Sequence, residues 1–281
     1  MLAIVGGTGL YDLPGLEIMD RHSGETPFGQ ASGEVLCGEI GQHRVLFLAR
    51  HGGGHRLLPH EINYRANVFA LKAAGATMML GFSAVGSLRM EIKPGDLVMP
   101  EQYIDWTKAD RLRTFFGDGV AAHVSTAKPV SANLVQAVVA GGERANERVT
   151  RGATYVCVSG PRLGTQAESN WLRQMGADIV GMTNVPEVFL AREAQMAYAT
   201  LGMVTDYDCW LEDESQHVSA LGIFELYGKT LAKARTVLDS LLTKPLPEPE
   251  ATIRQSLSYA LLTPLEAITP EQRQWFDVLK R

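Results

Sequence analysis

Two carboxylates stand at the end of an apolar run. Tyr198 to Thr205 is almost wholly non-polar, and Asp206-Tyr207-Asp208-Cys209-Trp210 follows directly. The run predicts a buried strand of roughly eight residues. In extended backbone, residues i and i+2 project to the same side, so Asp206 and Asp208 are expected to point together into one pocket. Carboxylates that close raise each other's pKa, so one tends to keep its proton near neutral pH and can donate it. Such a pair suits a ring that presents an acceptor beside a donor. The plainer reading is a helix N-cap followed by a solvated acid, and the spacing alone leaves both open.

A second set of residues suggests an anion. Val5-Gly6-Gly7-Thr8-Gly9-Leu10 follows the first apolar run, where glycines let backbone N–H groups approach a phosphate and Thr8 adds a hydroxyl. The third glycine of a dinucleotide fingerprint is missing, and Pro14-Gly15 argues against a helix opening there. A phosphate cradle and a bare turn both remain. In Ala49-Arg50-His51-Gly52, Arg50 could grip phosphate with its fork and His51 could add a donor. Ser83 and Thr183 each follow a further apolar run, as does Ser159-Gly160-Pro161-Arg162-Leu163-Gly164-Thr165. Thr8, Arg50, His51, Ser83 and Thr183 would thus all sit at carboxyl ends of strands, where ligands collect in α/β sheets. Hydroxyls, one Arg and one His without a P-loop lysine point to inorganic phosphate. No HExxH, DxDxDG or clustered His/Cys set is present, so no metal is expected, and no GxSxG elbow suggests a serine hydrolase.

The elements that must hold these residues alternate. Apolar runs at Leu2–Val5, Arg44–Ala49, Met78–Ala84, Leu97–Pro100, Thr154–Val158, Ile179–Met182 and Tyr198–Thr205 predict strands. Ile62, Ala66, Phe69, Ala70 and Ala73 line one face of a helix, and Pro186-Glu187 suits the first turn of another. Ile223, Tyr227, Leu231, Ala234, Leu238 and Leu241 stripe a long helix to about Leu242. This is an α/β pattern: a single domain with a mixed β-sheet flanked by helices over 1–243. Residues 244–281 are a Pro-rich linker and a tail with a last helical piece from about Pro270 to Leu279, either a disposable extension or an arm onto a neighbouring subunit.

Composition fits that reading. The 281 residues are 46% hydrophobic and 20% charged, with a net charge of -5 and no basic stripe, which argues against nucleic acid. No apolar stretch approaches the ~18 residues a membrane span needs. Met1 to Gly7 has no basic region before its apolar run, so no signal peptide is expected. Three widely spaced cysteines, Cys37, Cys157 and Cys209, fit reduced thiols in a cytoplasmic enzyme.

Taken in order, nine motifs resemble the trimeric purine nucleoside phosphorylases, on the branch that cleaves 5′-methylthioadenosine. They run from the GGTG turn through Thr26-Pro-Phe-Gly29, Ala49-Arg-His-Gly52, Asn63-Tyr-x-Ala-Asn67, Gly86-Ser-Leu88, Pro94-Gly-Asp96, Gly160-Pro-Arg162 and Val185-Pro-Glu187 to Thr205-Asp-Tyr-Asp-Cys-Trp210. The last is particular to the adenine-type branch. The resemblance implies phosphorolysis of an N-glycosidic bond, with phosphate as co-substrate and no cofactor. It implies phosphate contacts at Thr8, Arg50, His51, Ser83, Ala84 and Thr183, and Met182 against the ribose. Asp206 matches the group bonding purine N7, and Asp208 the one accepting from the 6-amino group. The 6-oxopurine branch has Asn at the position of Asp206 and Glu at that of Gly164.

Leu163 departs from the pattern, standing where a phenylalanine often stacks on the base. The resemblance further implies a 5′ pocket of His55, Pro59, Ala220, Ile223 and Phe224. A neighbouring subunit of a homotrimer would close it with His123 and a tail leucine, Leu261 or Leu262. Residues after Pro264 exceed the pattern. The rival expectations are a 6-oxopurine or broader nucleoside phosphorylase, a phosphate-independent nucleosidase and, outside the enzymes, a nucleotide-binding module using the GGTG turn.

Overall fold

The computed structural model describes residues 1–7, 10, 12–108, 110–211 and 220–281, the side chains of 220–225 excepted. In chain order the strands are β1 (Leu2–Gly6), β2 (Glu17–His22), β3 (Glu25–Thr26), β4 (Gly29–Gln30), β5 (Val35–Ile40), β6 (His43–Ala49), β7 (Met78–Ser87), β8 (Leu97–Trp106), β9 (Val149–Val158), β10 (Ile179–Gly181) and β11 (Ala197–Asp206). The helices are α1 (Tyr64–Ala73), α2 (Ala132–Arg144), α3 (Gln166–Gln174), α4 (Asn184–Glu193), α5 (Ala220–Leu241), α6 (Ala251–Arg254) and α7 (Pro270–Leu279).

Nine strands form one mixed sheet in the order β10-β9-β8-β11-β7-β1-β6-β5-β2. Its β10 end curls back to pair antiparallel with the end of β7, Ile179 opposite Ser87 and Val180 opposite Gly86, so five strands close into a ring. All seven expected strands are present. β1 shows why they were legible: Ala3 and Val5 face one core, Leu2 and Ile4 the other. A strand buried on both faces reads as an unbroken apolar run. One core packs against α1, α4 and α7, the other against α2 and α5. Each fully buried Val, Leu, Ile or Phe contributes roughly 1.5–3 kcal/mol.

Parallel pairing aligns the carboxyl ends that matter. β1 lies between β6 and β7, with Gly6 opposite Ala49 and Val5 opposite Gly81. β11 runs parallel to β7, placing Gly202 beside Ser83 and Asp206 beside Gly86 after a bulge. Gly6, Arg50, Ser83 and Asp206 therefore lie along one edge of the sheet.

The residues after 243 are part of the same body. Glu250 accepts from the Ser131 hydroxyl at 2.7 Å and the Asn133 N–H at 2.9 Å, tying the Pro-rich segment to the start of α2. α7 buries Trp275, Phe276 and Leu279, with Trp275 edge-on to Phe28 at 5.5 Å and to Phe116 at 6.0 Å. Lys72 Nζ donates to the Arg281 carbonyl at 2.8 Å. The tail thus packs on α1 of its own chain. No helix among the described residues is long and apolar enough to cross a membrane.

Candidate active site

A cavity of about 460 Å³ opens at the carboxyl ends of β1, β6, β7, β10 and β11. Gly7, Arg50, His51, Ser83, Ala84 and Thr183 line one end, and Asp206, Asp208 and Gly164 the other; Met182 also lines the cavity. His55, Pro59 and Leu163 also line it.

At the first end the Ser83 and Thr183 hydroxyls lie 3.3 Å apart, although 100 residues separate them in the chain. Thr183 stands at the N-terminus of α4 without capping it, so its hydroxyl stays available. Tyr155 packs beneath: a Cβ on Gly181 would fall 2.1 Å from its hydroxyl oxygen, so only glycine lets the turn before Thr183 close over that ring. On the opposite side, Gly7 admits no Cβ because Phe82 O lies 2.4 Å from where it would stand.

Arg50 corrects an expectation. Its Nε and Nη2 donate to Glu187 at 2.6 and 2.8 Å, and Nη1 donates to the Phe82 carbonyl at 2.8 Å. The fork expected to grip phosphate is already held by Glu187, and only the remaining Nη hydrogens are left for a ligand. Burial alone would push the Arg50 guanidinium down, but the charge and hydrogen bonds of Glu187 hold it above its ordinary value. Glu187 also accepts from Tyr198 at 2.9 Å, and Tyr198 accepts from Asn184 and Thr200 at 2.7 Å each. A buried network of this kind fixes the position of a cation.

His51 departs as well. Its Nδ1 lies 2.8 Å from the Leu57 carbonyl, which can only accept, so the proton is on Nδ1. Burial pushes the ring down to about 4, with Arg50 and His55 adding to the shift. His51 is neutral near pH 7 and offers Nε2 as an acceptor, not the second donor expected. The His55 ring stacks on it at 4.1 Å.

At the second end the two carboxylates do converge, by a different geometry from the one expected. Asp206 Oδ1 accepts from the Asp208 N–H at 2.7 Å, an Asx turn that reverses the chain just after β11. Asp208 takes φ +52, a left-handed conformation that Asp tolerates better than most residues. The convergence arises from this turn, not from a continuing pleat. Gly86 leaves room for it, since a Cβ there would lie 3.1 Å from Asp206 Oδ1 and 3.4 Å from Asp208 Cβ. Asp206 Oδ2 accepts from the Thr205 hydroxyl at 2.5 Å, so both Asp206 oxygens already receive a donor. The carboxyl whose pKa is raised is Asp208's, through burial first and the neighbouring Asp206 charge. Burial and that charge push Asp208 toward its protonated form.

Between the two ends, Gly160 takes φ +65 with Met182 Sδ 2.4 Å from where a Cβ would stand, so Met182 packs directly on that turn. The following loop is braced by Arg162, whose Nη1 and Nη2 bond Glu168 at 2.7 and 2.6 Å, while Glu168 closes a capping box with Thr165. Leu163 in this loop is 77% exposed, so it offers little stacking surface as placed. Sequence reasoning missed Trp106 and Trp171, which line the cavity as a tilted pair with ring centroids 6.5 Å apart. Neither has a spacing signal that could have marked it.

Of the remaining expected residues, Thr8 and the side chains of Ala220, Ile223 and Phe224 lie outside the described residues. His123 is exposed and does not line this chain's cavity. Its N–H donates to Ala260 at 2.9 Å, beside a bridge between Ala122 and Leu261, so His123 and the tail leucines share one patch. Among the described residues, no group of three or more His, Cys, Asp or Glu is placed to hold a metal ion.

Residues 1–244 match the pattern of the phosphorylase superfamily. The chain is 42% identical over 279 residues to the S-methyl-5′-thioadenosine phosphorylase of Geobacter sulfurreducens, covering 99% of this chain and 97% of that one. It is 46% identical over 265 residues to the enzyme of the same name from Hyperthermus butylicus, covering 93% and 95%. Among solved structures, a methylthioadenosine phosphorylase from an antarctic soil metagenomic library superposes with a TM-score of 0.91 at 43% identity, covering 99% of this chain and 98% of the other. The Schistosoma mansoni methylthioadenosine phosphorylase in complex with adenine superposes with a TM-score of 0.81 at 34% identity, covering 86% and 90%.

Proposed function

The chain belongs to the phosphorylase superfamily, and we propose that within it the protein cleaves 5′-methylthioadenosine with inorganic phosphate, giving adenine and 5-methylthioribose 1-phosphate. The observation that carries the reading is one cavity with hydroxyl and cationic donors at one end and a carboxylate pair at the other. The names of the relatives support the same substrate.

The chemistry follows from what the ends offer. Breaking the C1′–N9 bond leaves positive charge on the ribosyl ring and negative charge on the purine. Phosphate held by Ser83, Thr183, the Ala84 backbone and the free Nη hydrogens of Arg50 stabilises that cation from beneath C1′ and then bonds to it. His51, neutral, accepts from a protonated phosphate oxygen or a ribose hydroxyl. Asp206 faces N7 and Asp208 the 6-amino group. The proton that the pair carries moves to N7 as the purine leaves, and such acid catalysis contributes ~10²–10⁴-fold. A 6-oxopurine would place a carbonyl oxygen against Asp208, which disfavours inosine-type substrates.

Phosphate is the co-substrate in this scheme and no cofactor takes part. Met182 lies against the ribose, and His55 and Pro59 face the 5′ substituent. The assembly is a homotrimer in which the patch of His123 and the tail leucines closes a neighbour's 5′ pocket. Its setting is the cytoplasm, in salvage of the methylthio nucleoside. The test is the identity of the sugar product. 5-Methylthioribose 1-phosphate supports phosphorolysis, whereas free 5-methylthioribose would mean hydrolysis and remove phosphate from the mechanism.

A further inference from the structure

We infer that Arg111 is a positioning residue that sets the phosphate and ribose walls of the cavity while leaving the base end alone, an inference that rests on the phosphorolysis reading above. Arg111 does not itself line the cavity. It lies behind the wall with its side chain 1% exposed. Its Nη1 donates to the carbonyls of Met182 and Val185 at 2.7 Å each, and its Nη2 to the Ser159 carbonyl at 3.0 Å. Nη1 also reaches the Tyr64 hydroxyl at 3.3 Å, and Tyr64 in turn donates to the Pro59 carbonyl at 2.9 Å. Nε lies 3.5 Å from Asp110 Oδ1.

Each of these contacts is one step from a residue with a proposed role. Met182 packs toward the ribose and precedes Thr183. Val185 opens the turn that presents Glu187 to Arg50. Ser159 precedes Gly160, on which Met182 rests, and Pro59 faces the 5′ substituent. Four segments of the chain are thus held to one planar cation. A guanidinium suits this place because its donors diverge in a fixed fork. An ammonium offers three donors from a single point and cannot reproduce that fork. Among the described residues no hydrogen bond or ion pair joins Arg111 to Asp206, Asp208 or Gly86, so the base end should be indifferent to it.

The experiment compares wild type with Arg111→Lys and Arg111→Gln, measuring KM for phosphate, kcat and the Kd of free adenine by calorimetry. The expected result is a rise of about tenfold or more in phosphate KM, with a fall in kcat and adenine Kd within about twofold. A merely structural role would loosen both ends of the cavity alike, so equal losses in adenine and phosphate binding would overturn the inference. Unchanged phosphate KM in folded Arg111→Lys would overturn it too. Tyr64→Phe, which removes the hydroxyl joining Arg111 to Pro59 and leaves the three carbonyl contacts of Arg111 in place, keeps the idea testable if both Arg111 variants fail to fold. It should raise the nucleoside KM and leave phosphate KM unaltered, and an equal rise in both would contradict the account. A wild type that shows no phosphate dependence would sink the phosphorolysis reading and this inference together. A phosphate-dependent wild type with unresponsive variants would sink this inference alone.

Discussion

The Arg50 guanidinium and the Glu187 carboxylate, 137 residues apart in the chain, meet through two hydrogen bonds of 2.6 and 2.8 Å with neither side chain more than 1% exposed. Removing one partner of a buried pair leaves the other charge uncompensated, which costs about 3–5 kcal/mol. Glu187→Gln is therefore expected to lower the stability measured by urea unfolding by that order and to raise phosphate KM, because Arg50 loses its anchor. Arg50→Ala should raise the phosphate requirement more. An unchanged phosphate dependence in Arg50→Ala would refute its placement at the phosphate.

The carboxylate pair predicts a split between catalysis and binding. Asp206→Asn should reduce turnover of adenine nucleosides by ~10²–10⁴-fold while free-adenine affinity moves by a few-fold only. Asp208→Asn should instead erode the preference for 6-amino over 6-oxo nucleosides, since it replaces the carboxylate oxygen facing the 6-amino group with an amide that can also donate. Near wild-type turnover in Asp206→Asn would end its role at N7.

Gly160 supports Met182 by its lack of a side chain. Gly160→Ala places a Cβ 2.4 Å from Met182 Sδ at φ +65, so Met182 must move. A displacement costing ~1.4 kcal/mol of binding raises the nucleoside KM about tenfold. Phosphate KM should change less, and steady-state kinetics with each substrate varied in turn would show it.

Glu193 gives a pH dependence of stability outside the cavity. It accepts from the Thr114 hydroxyl at 2.7 Å and the Phe115 N–H at 2.8 Å, and burial pushes its carboxyl up to about 7 from the ordinary 4.5. The folded state thus binds more protons than the unfolded chain across that window. Stability from this group is fully present below 4.5 and is lost as pH rises through about 7. The total is up to about 3 kcal/mol. Glu193→Gln mimics the protonated carboxyl, so the melting temperature of wild type relative to the variant should fall between about pH 5 and about pH 8. A gap that widens in favour of wild type with rising pH would contradict the assignment.

Much of this architecture was legible because the central strands are buried on both faces, and Leu2, Val45 and Met79 stand in apolar runs. β2 was not legible: all six of its residues are exposed, so it has no apolar alternation to betray it. The site residues were legible as types at strand ends, but their partners were not. Arg50 could be placed by its motif, yet nothing local marks Glu187 as the group that holds its fork. The spacing of Asp206 and Asp208 implied proximity correctly for the wrong reason, because an Asx turn and a left-handed Asp208 achieve what a pleat was expected to do. Arg111 lies in a polar stretch from Lys108 to Arg113 that reads as surface, and only the fold shows it buried.

The most direct test of the central claim is release of free adenine from 5′-methylthioadenosine, with and without inorganic phosphate, beside adenosine and 5′-methylthioinosine. The account predicts adenine release that requires phosphate and is fastest from the methylthio nucleoside. Release without phosphate, or base release from the inosine compound alone, would contradict it.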